Sequence, residues 1–175
     1  MAQPEDAAGC AHVNLLSWRS AYKGLIADAT LAKLSFDELL KKWEWRFAQN
    51  DPGVFCFVAL SDKTELIGYV LCGKNRHPKV ETERELMAIY LLDEWRNKGI
   101  GKLFVQKALE VFRSQQVSSF VVFALNGNHP TRKFYEAFGP DESTEEEIVI
   151  DGITYLHTGY IWKKLPSVPT IKNEH

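Results

Sequence analysis

Apolar residues at spacings of three and four predict two helices in the first third of the chain. The first helix is predicted from about residue 4 to residue 22, with an apolar stripe of Ala8, Ala11, Leu15, Trp18 and Tyr22. A second helix is predicted to begin at Ser35, because Ser35 and Glu38 have the spacing of a capping box. Its core face consists of Phe36, Leu39, Leu40, Trp43 and Phe47, and the segment NDPG at 50–53 ends it.

Apolar runs separated by turn signals predict a sheet in the rest of the chain. Runs at 54–60 and 66–73 are predicted to form an antiparallel pair, and a third run at 85–92 precedes a helix from Ile100 to about Gln115. The almost wholly apolar run at 119–125 is typical of a strand covered on both faces. A short helix is predicted over about 130–138, and the Asp151-Gly152 turn predicts a final hairpin.

This order of elements indicates an α+β fold with a mixed, mostly antiparallel central sheet flanked by helices. The chain of 175 residues fits one domain, which we assign to residues 1–165, followed by a flexible C-terminal tail at 166–175.

Composition narrows the classes of function. The formal net charge of −2 argues against bulk electrostatic binding to nucleic acid or to acidic membranes. No apolar run approaches the ~18 residues of a membrane span, and no signal peptide is visible, so we expect a cytoplasmic protein. Cys10, Cys56 and Cys72 are predicted to be small buried residues, with a reactive thiol as the alternative. The five histidines show no metal-ligand spacing, so no metal is expected.

The segment DEWRNKGIGKLF, 93–104, places a basic, glycine-containing turn between a predicted strand and a predicted helix. A P-loop would need glycine at Arg96 and a hydroxyl residue at Leu103, and a dinucleotide-binding motif would need glycine at Phe104. The remaining pattern is R-x-x-G-x-G, in which backbone N–H groups and a helix N-terminus face an anion. The turn is therefore expected to bind phosphate groups, and a structural turn with solvated basic residues is the alternative.

Two segments carry a family resemblance. Residues 85–104, ELMAIYLLDEWRNKGIGKLF, resemble the acyl-CoA-binding segment of the GCN5-related N-acetyltransferase (GNAT) superfamily. Residues 128–139, NHPTRKFYEAFG, are similar to that family's second signature, N-x-x-A-x-x-F-Y-x-x-x-G. The resemblance covers roughly residues 4 to 164, and it implies a GNAT-like fold in which acyl-CoA fills an opening beside the strand at 85–92.

The resemblance also implies a cofactor site. The pantetheine arm is expected along the backbone of Ile89 and Leu91, with Asn128 contacting the same arm. Capping the next helix is an equally open role for Asn128. The pyrophosphate is expected over the turn formed by Arg96, Asn97, Lys98, Gly99, Ile100, Gly101 and Lys102.

Two catalytic residues are implied in the same way. Tyr135 matches the cofactor-contacting tyrosine that protonates the leaving thiolate, and a core aromatic is the alternative. Glu85 matches a general base that acts directly or through water. On an apolar strand face its carboxylate could have a raised pKa, which suits a base, and a solvated edge glutamate is the alternative.

The function implied is an N-acetyltransferase that moves the acetyl group of acetyl-CoA to a primary amine of a small molecule or peptide in a ternary complex. A non-catalytic acyl-CoA-binding or sensing module on the same fold is the alternative. The acceptor is expected near the link between the first two helices and near Asp151. The acidic run at 141–147 indicates either a cationic acceptor or a solvated loop. The short N-terminus leaves almost no room for the family's first strand, so either this strand is vestigial or the true start of the protein lies upstream. If the sheet opens with an unprotected edge, we expect a homodimer.

Overall fold

The computed structural model describes residues 1–167, and six strands in this part of the chain form one sheet. The helices are α1 (Ala7–Ala21), α2 (Asp28–Ala32), α3 (Phe36–Ala48), α4 (Ile100–Ser114) and α5 (His129–Glu136). The strands are β1 (Phe55–Leu60), β2 (Leu66–Lys74), β3 (Arg84–Leu91), β4 (Phe120–Leu125), β5 (Glu142–Ile150) and β6 (Ile153–Trp162). The predicted tail at 166–175 lies outside the described residues from 168 onward.

The strand order in the sheet is β1-β2-β3-β4-β6-β5. Every neighbouring pair is antiparallel except β3 and β4, which are parallel. The prediction of an α+β fold with a mixed, mostly antiparallel sheet is therefore confirmed. None of the helices in the described residues is long and apolar enough to cross a bilayer.

The sheet separates two hydrophobic clusters. The helices α4 and α5 cover one face, where Phe112, Phe120 and Trp162 are buried and the last two rings stack with centroids 4.6 Å apart. On the other face, α1 and α3 pack on β1 and β2 around Trp43 and Tyr69. Within the described residues this second cluster contains no residue of β4, β5 or β6. The part of the second face that these strands form therefore lies outside the cluster packed by α1 and α3.

The three cysteines are buried free thiols, as predicted. Burial raises the pKa of Cys72, and the neighbouring thiol of Cys10 together with burial raises the pKa of Cys56. A raised pKa keeps a thiol protonated and unreactive, which argues against the alternative of a reactive cysteine.

The link between α1 and α3 differs from its prediction. No helix was predicted in this link, and the structure contains the short helix α2. Ser35 does stand at the N-cap of α3, but its side chain makes no capping hydrogen bond. A capping box is present instead at Gln3 and Asp6, at the start of the chain.

The acidic run forms most of a strand instead of a loop. Strand β5 begins at Glu142 and pairs with β6 residue by residue, with Glu146 opposite His157. Side chains alternate between the two faces of a strand. Glu145 and Glu147 are therefore exposed, while Glu146 is half-buried on the opposite face. The interpretation of this run as a solvated loop was wrong, because pairing with β6 outweighs the low strand propensity of glutamate.

No strand precedes α1 in the described residues. The N-terminal segment contacts the sheet through a hydrogen bond of 2.8 Å from the Ala2 N–H to the Cys56 carbonyl. Strand β1 is consequently an edge strand. The homodimer expected from this edge stays a prediction.

Candidate active site

Strands β3 and β4 separate soon after they meet. They pair only at Arg84 with Phe120 and at Glu85 with Val121. Beyond these pairs, a cavity of about 770 Å³ is lined by the last residues of β3, by the end of β4 and by the start of α4. The opening that the GNAT resemblance implies is therefore present in the fold.

The backbone of β3 presents alternate residues to this cavity. The Leu92 N–H donates to the Ile67 carbonyl at 3.0 Å, which sets the phase of hydrogen bonding between β2 and β3. In that phase Ile89 and Leu91 occupy positions that do not hydrogen-bond to β2. Their backbone N–H and C=O groups consequently point toward the opening.

Part of this backbone is already engaged. The Leu91 carbonyl accepts hydrogen bonds from the Ser17 hydroxyl at 3.1 Å and from the Arg96 guanidinium at 3.4 Å. Strand pairing with a ligand at this end of β3 would therefore use the Leu91 N–H, together with both backbone groups of Ile89.

The glycine turn enters α4 through two residues in left-handed conformations. Asn97 has φ 60° and Gly99 has φ 83°. Asparagine and glycine adopt this region most readily, which explains why Asn97 and Gly99 can occupy these two positions. The helix starts at Ile100, so its first backbone N–H groups have no partner within the helix. Five residues of the turn line the cavity: Arg96, Asn97, Gly99, Gly101 and Lys102.

The side chains of Lys98 and Ile100 do not line the cavity. The Lys98 ammonium lies 4.6 Å from the centre of the Trp95 ring, and Ile100 packs against the α4 core. Any contact of these two residues with a phosphate would therefore be made by the backbone.

The two glycines of the turn have different structural roles. A Cβ at Gly101 would lie 3.2 Å from the Phe134 ring, so Gly101 lets α4 approach α5 closely. A Cβ at Gly99 would meet no atom within 4 Å, but its positive φ strains any other residue. Bulky substitutions at Gly101 would consequently disturb helix packing as well as a bound ligand.

Asn128 is the N-cap of α5. Its side chain accepts a hydrogen bond of 3.3 Å from the Thr131 N–H, so the capping role that the sequence left open is present. The residue is buried in the cavity wall.

Tyr135 also lines the cavity and is 5% exposed. Burial raises the pKa of its phenol, so the hydroxyl is protonated at neutral pH. This hydroxyl has no hydrogen-bond partner among the described residues. The ring packs 5.2 Å from Phe134 and 6.3 Å from Tyr160, so its core packing and an acid role are compatible.

Glu85 is 2% exposed, so the alternative of a solvated edge glutamate is wrong. The Arg76 guanidinium donates to both of its carboxylate oxygens, at 2.6 and 2.8 Å. The same hydrogen bonds raise the pKa of Arg76. The bidentate ion pair therefore fixes the Glu85 carboxylate in the cavity wall.

A second cavity of about 490 Å³ adjoins the first. The two share wall residues from the C-cap of α1, from β3 and from β4, namely Tyr22, Met87, Ala88, Tyr90 and Phe123. Met87 is the unpaired residue of a β-bulge, because only its neighbours Leu86 and Ala88 pair with β2. The two cavities therefore meet beside this bulge.

Several residues of the second cavity were not identified from the sequence. The Tyr22 and Tyr90 hydroxyls lie 3.2 Å apart at the junction, and burial raises the pKa of both. His77 and His157 line the cavity with Glu85, and burial lowers the pKa of His157. The sequence signal for this set is weak, because its members lie on separate elements.

The chain between α1 and α3 reaches across to the β5–β6 turn. The Ala27 N–H donates to the Tyr155 hydroxyl at 3.0 Å. Lys33 and Thr30 contact the Asp151 carboxylate at 2.6 and 3.1 Å, and these hydrogen bonds lower the pKa of Asp151. The two regions that the sequence associates with the acceptor are thus joined.

Comparison with known proteins identifies the family. Residues 13–139 match the model of the acetyltransferase (GNAT) family. The chain is 31% identical over 172 residues to the uncharacterized N-acetyltransferase YuaI of Bacillus subtilis strain 168, an alignment that covers 98% of this chain and 96% of YuaI. The protein therefore belongs to the GNAT family and is an acetyltransferase.

Solved structures share the fold. The PaiA N-acetyltransferase from Thermoplasma acidophilum, in complex with coenzyme A, has a TM-score of 0.64 at 21% identity, covering 90% of this chain and 94% of that one. An N-acetyltransferase from Staphylococcus aureus Mu50 has a TM-score of 0.65 at 18% identity, covering 94% and 95%. At these identities the likeness concerns the fold alone.

Proposed function

We propose that this enzyme transfers the acetyl group of acetyl-CoA directly to a primary amine while both are bound. Acetyl-CoA occupies the first cavity, and the amine enters from the second. The observation that carries the proposal is the junction of the two cavities beside the Met87 bulge. Holding both reactants there replaces an encounter in solution by a reaction within one complex.

The donor is bound mainly by backbone groups. The pantetheine arm pairs with Ile89 and with the Leu91 N–H, and Asn128 contacts the same arm. The pyrophosphate lies over the turn from Arg96 to Lys102. The coenzyme A bound by the Thermoplasma relative supports this assignment. Free N–H groups at the start of α4 and the positive charges of Arg96 and Lys102 favour an anion there.

The chemistry needs a proton donor for the departing thiolate. The amine attacks the thioester carbonyl, the carbon–sulfur bond breaks, and the Tyr135 hydroxyl gives its proton to the sulfur. A buried, protonated phenol at the cavity wall suits this role. A backbone N–H near the Met87 bulge polarises the carbonyl as negative charge develops on its oxygen.

The proton of the attacking amine goes to water. Glu85 is the candidate base among the side chains, but Arg76 occupies both of its oxygens. We therefore assign Glu85 the role of a fixed negative charge beside the acceptor cavity, where it stabilises the positive nitrogen that forms on attack. Water completes the proton transfer.

The second cavity sets the size and character of the acceptor. Its volume of about 490 Å³ suits a small molecule or the end of a peptide. Aromatic rings from α1, α3 and β2 form part of its wall, from Trp18, Trp43 and Tyr69. We assign residues 1–165 to a single catalytic domain, because the six strands belong to one sheet and five of them, β2 to β6, line the two cavities.

The test is release of coenzyme A thiol from acetyl-CoA in the presence of a panel of small primary amines and amine-terminated peptides. We expect thiol release with at least one amine and an N-acetylated product of matching mass. Binding of acetyl-CoA without turnover on every acceptor would favour the alternative of a sensing module. Absence of acetyl-CoA binding by calorimetry would contradict both.

A further inference from the structure

We propose that His77, Glu146 and His157 form a binding site for a divalent transition-metal ion, with Zn²⁺ as the representative ion. One potential donor atom from each residue lies within 4.8 Å of the other two. The residues come from three places in the fold, namely the loop after β2, strand β5 and strand β6. The site does not depend on the proposed reaction.

The donor spacing suits a small cation. Nδ1 of His77 lies 3.0 Å from Oε2 of Glu146, and Nε2 of His157 lies 4.0 Å from the same oxygen. Zn²⁺ forms bonds of about 2.0–2.2 Å, so its tetrahedral donors lie about 3.3 Å apart. Small rotations of the imidazole rings would bring the donors to that spacing. Two imidazoles and a carboxylate favour Zn²⁺ and similar metals over Mg²⁺ or Ca²⁺.

His157 provides an observation of a different kind. The residue is 5% exposed, yet its ring makes no hydrogen bond to any residue in the described part of the chain. Its ring nitrogens are open to the second cavity, because no buried side-chain nitrogen or oxygen of the described residues lacks a hydrogen-bond partner. A metal ion in that cavity could therefore bind the ring without displacing an existing hydrogen bond of His157.

The surroundings hold the rings in place. The His77 ring stacks on Phe123 with centroids 3.8 Å apart, and Phe123 lies 4.3 Å from the His157 ring. Asn75 accepts a hydrogen bond of 2.8 Å from the His77 N–H, which fixes the loop that carries His77. The site is therefore partly formed before any metal binds.

Glu85 lies behind His77 in the position of an outer-shell partner. Its Oε1 is 3.6 Å from Nε2 of His77, while Nδ1 of the same ring faces Glu146. A carboxylate behind a ligating histidine is a common arrangement at metal sites, where it orients the ring. Three protein ligands also leave a fourth coordination position open. His77 and His157 both line the second cavity, so this position would face that cavity.

The experiment is titration of the chelator-treated, full-length protein with Zn²⁺ by calorimetry and with Co²⁺ by visible absorption. We expect one ion per chain, a Co²⁺ spectrum typical of tetrahedral coordination, and a melting temperature that rises with Zn²⁺. His77→Ala, His157→Ala and Glu146→Gln should each weaken binding by more than ~100-fold. Glu85→Gln should weaken it by about 10–100-fold, as expected for an outer-shell residue.

The matched control is His12→Ala, because His12 is exposed on α1 and belongs to no described cluster. It should bind Zn²⁺ like the wild type. In Glu146→Gln the side chain keeps its size and shape at a half-buried position of an edge strand, so this variant is expected to fold. It therefore tests metal binding even if a histidine variant unfolds. The proposal is overturned if the wild type binds no stoichiometric Zn²⁺, or if folded Glu146→Gln binds it with unchanged affinity.

Discussion

Arg76 and Glu85 form an ion pair that is buried on one side only. The guanidinium donates to both carboxylate oxygens, at 2.6 and 2.8 Å, and the Arg76 side chain is 59% exposed whereas that of Glu85 is 3% exposed. The negative charge is thus held inside the protein by a positive charge at its surface. Loss of Arg76 would leave a carboxylate in the cavity wall without its principal partner.

This pair predicts a non-additive stability effect. Arg76→Ala should lower the free energy of unfolding by about 1–3 kcal/mol, the usual cost of an unsatisfied buried acceptor. Adding Glu85→Gln should restore part of the loss, because a neutral amide is easier to bury than a carboxylate. Urea unfolding of the wild type, both single variants and the double variant measures the coupling. Additive effects would contradict the assigned pairing.

Tyr135→Phe should separate the catalytic role of this residue from its packing. The ring stays and the proton donor is lost, so kcat should fall by ~10²–10⁴-fold. The affinity for acetyl-CoA should change little, because the hydroxyl acts mainly as charge develops on sulfur. The measurements are kcat with any accepted amine, acetyl-CoA affinity and the melting temperature.

Tyr160→Phe is the matched control for this variant. The Tyr160 hydroxyl donates to Glu136 at 2.8 Å and accepts from Arg132 at 3.0 Å. Its removal therefore loses two hydrogen bonds that are not part of the proposed reaction at the thioester sulfur. The free energy of unfolding of the Tyr160→Phe variant should fall by about 1 kcal/mol, while its kcat stays within a few-fold of the wild-type value. A fully active Tyr135→Phe enzyme would remove Tyr135 from the mechanism.

Arg96→Gln should weaken the binding of acetyl-CoA by about tenfold or more, since a hydrogen bond to a charged group contributes about 1.5–3 kcal/mol. The salt dependence of binding should also decrease. Acetyl-pantetheine, which lacks the pyrophosphate, should bind the variant and the wild type equally well. Lys107→Gln is the control, because Lys107 lies two turns into α4 and pairs with Glu110 at 2.7 Å. If Arg96→Gln weakened the binding of acetyl-CoA and of acetyl-pantetheine equally, that result would argue against a contact between Arg96 and the pyrophosphate.

Glu83 should contribute to stability in a pH-dependent manner. Hydrogen bonds from the Ser118 hydroxyl and backbone N–H lower the pKa of Glu83. A group with a lowered folded-state pKa stabilises the protein fully above its ordinary pKa. That stabilisation is lost as the pH falls through the lowered value.

Glu83→Gln should therefore melt below the wild type at neutral pH, and the two should converge in acid. Melting temperatures across a pH series measure this difference. Glu81→Gln serves as the control, because Glu81 is exposed and makes no hydrogen bond or ion pair within the described residues. A difference between Glu83→Gln and the wild type that stays constant with pH would refute the assignment.

The regular elements could be predicted from the sequence because their signals are local. The apolar run at 119–125 forms strand β4, and the Asp151-Gly152 pair forms the turn between β5 and β6, with φ of 50° and 78°. These features depend on neighbouring residues. The start of β5 could not be predicted in this way, because its glutamates are held in strand conformation by β6, which follows later in the chain.

The candidate site could be predicted only in part, for a similar reason. The residues from Arg96 to Lys102 form a contiguous motif, so their placement at a helix N-terminus follows from the sequence. His77 and His157 are far apart in the chain, and they come together only because of the sheet order and the loop after β2. The close contact of Gly101 with the Phe134 ring could not be predicted either, because it depends on the position of α5.

The separation of β3 from β4 creates a strand edge in the middle of the sheet. Proteins generally shield such edges, since unpaired backbone groups recruit other chains. Here the edge lies inside a cleft, where another protein chain cannot pair with it easily. The amide hydrogens of Ile89 and Leu91 should therefore exchange with solvent quickly although their strand is central. Bound acetyl-CoA should slow that exchange by taking the place of a missing strand.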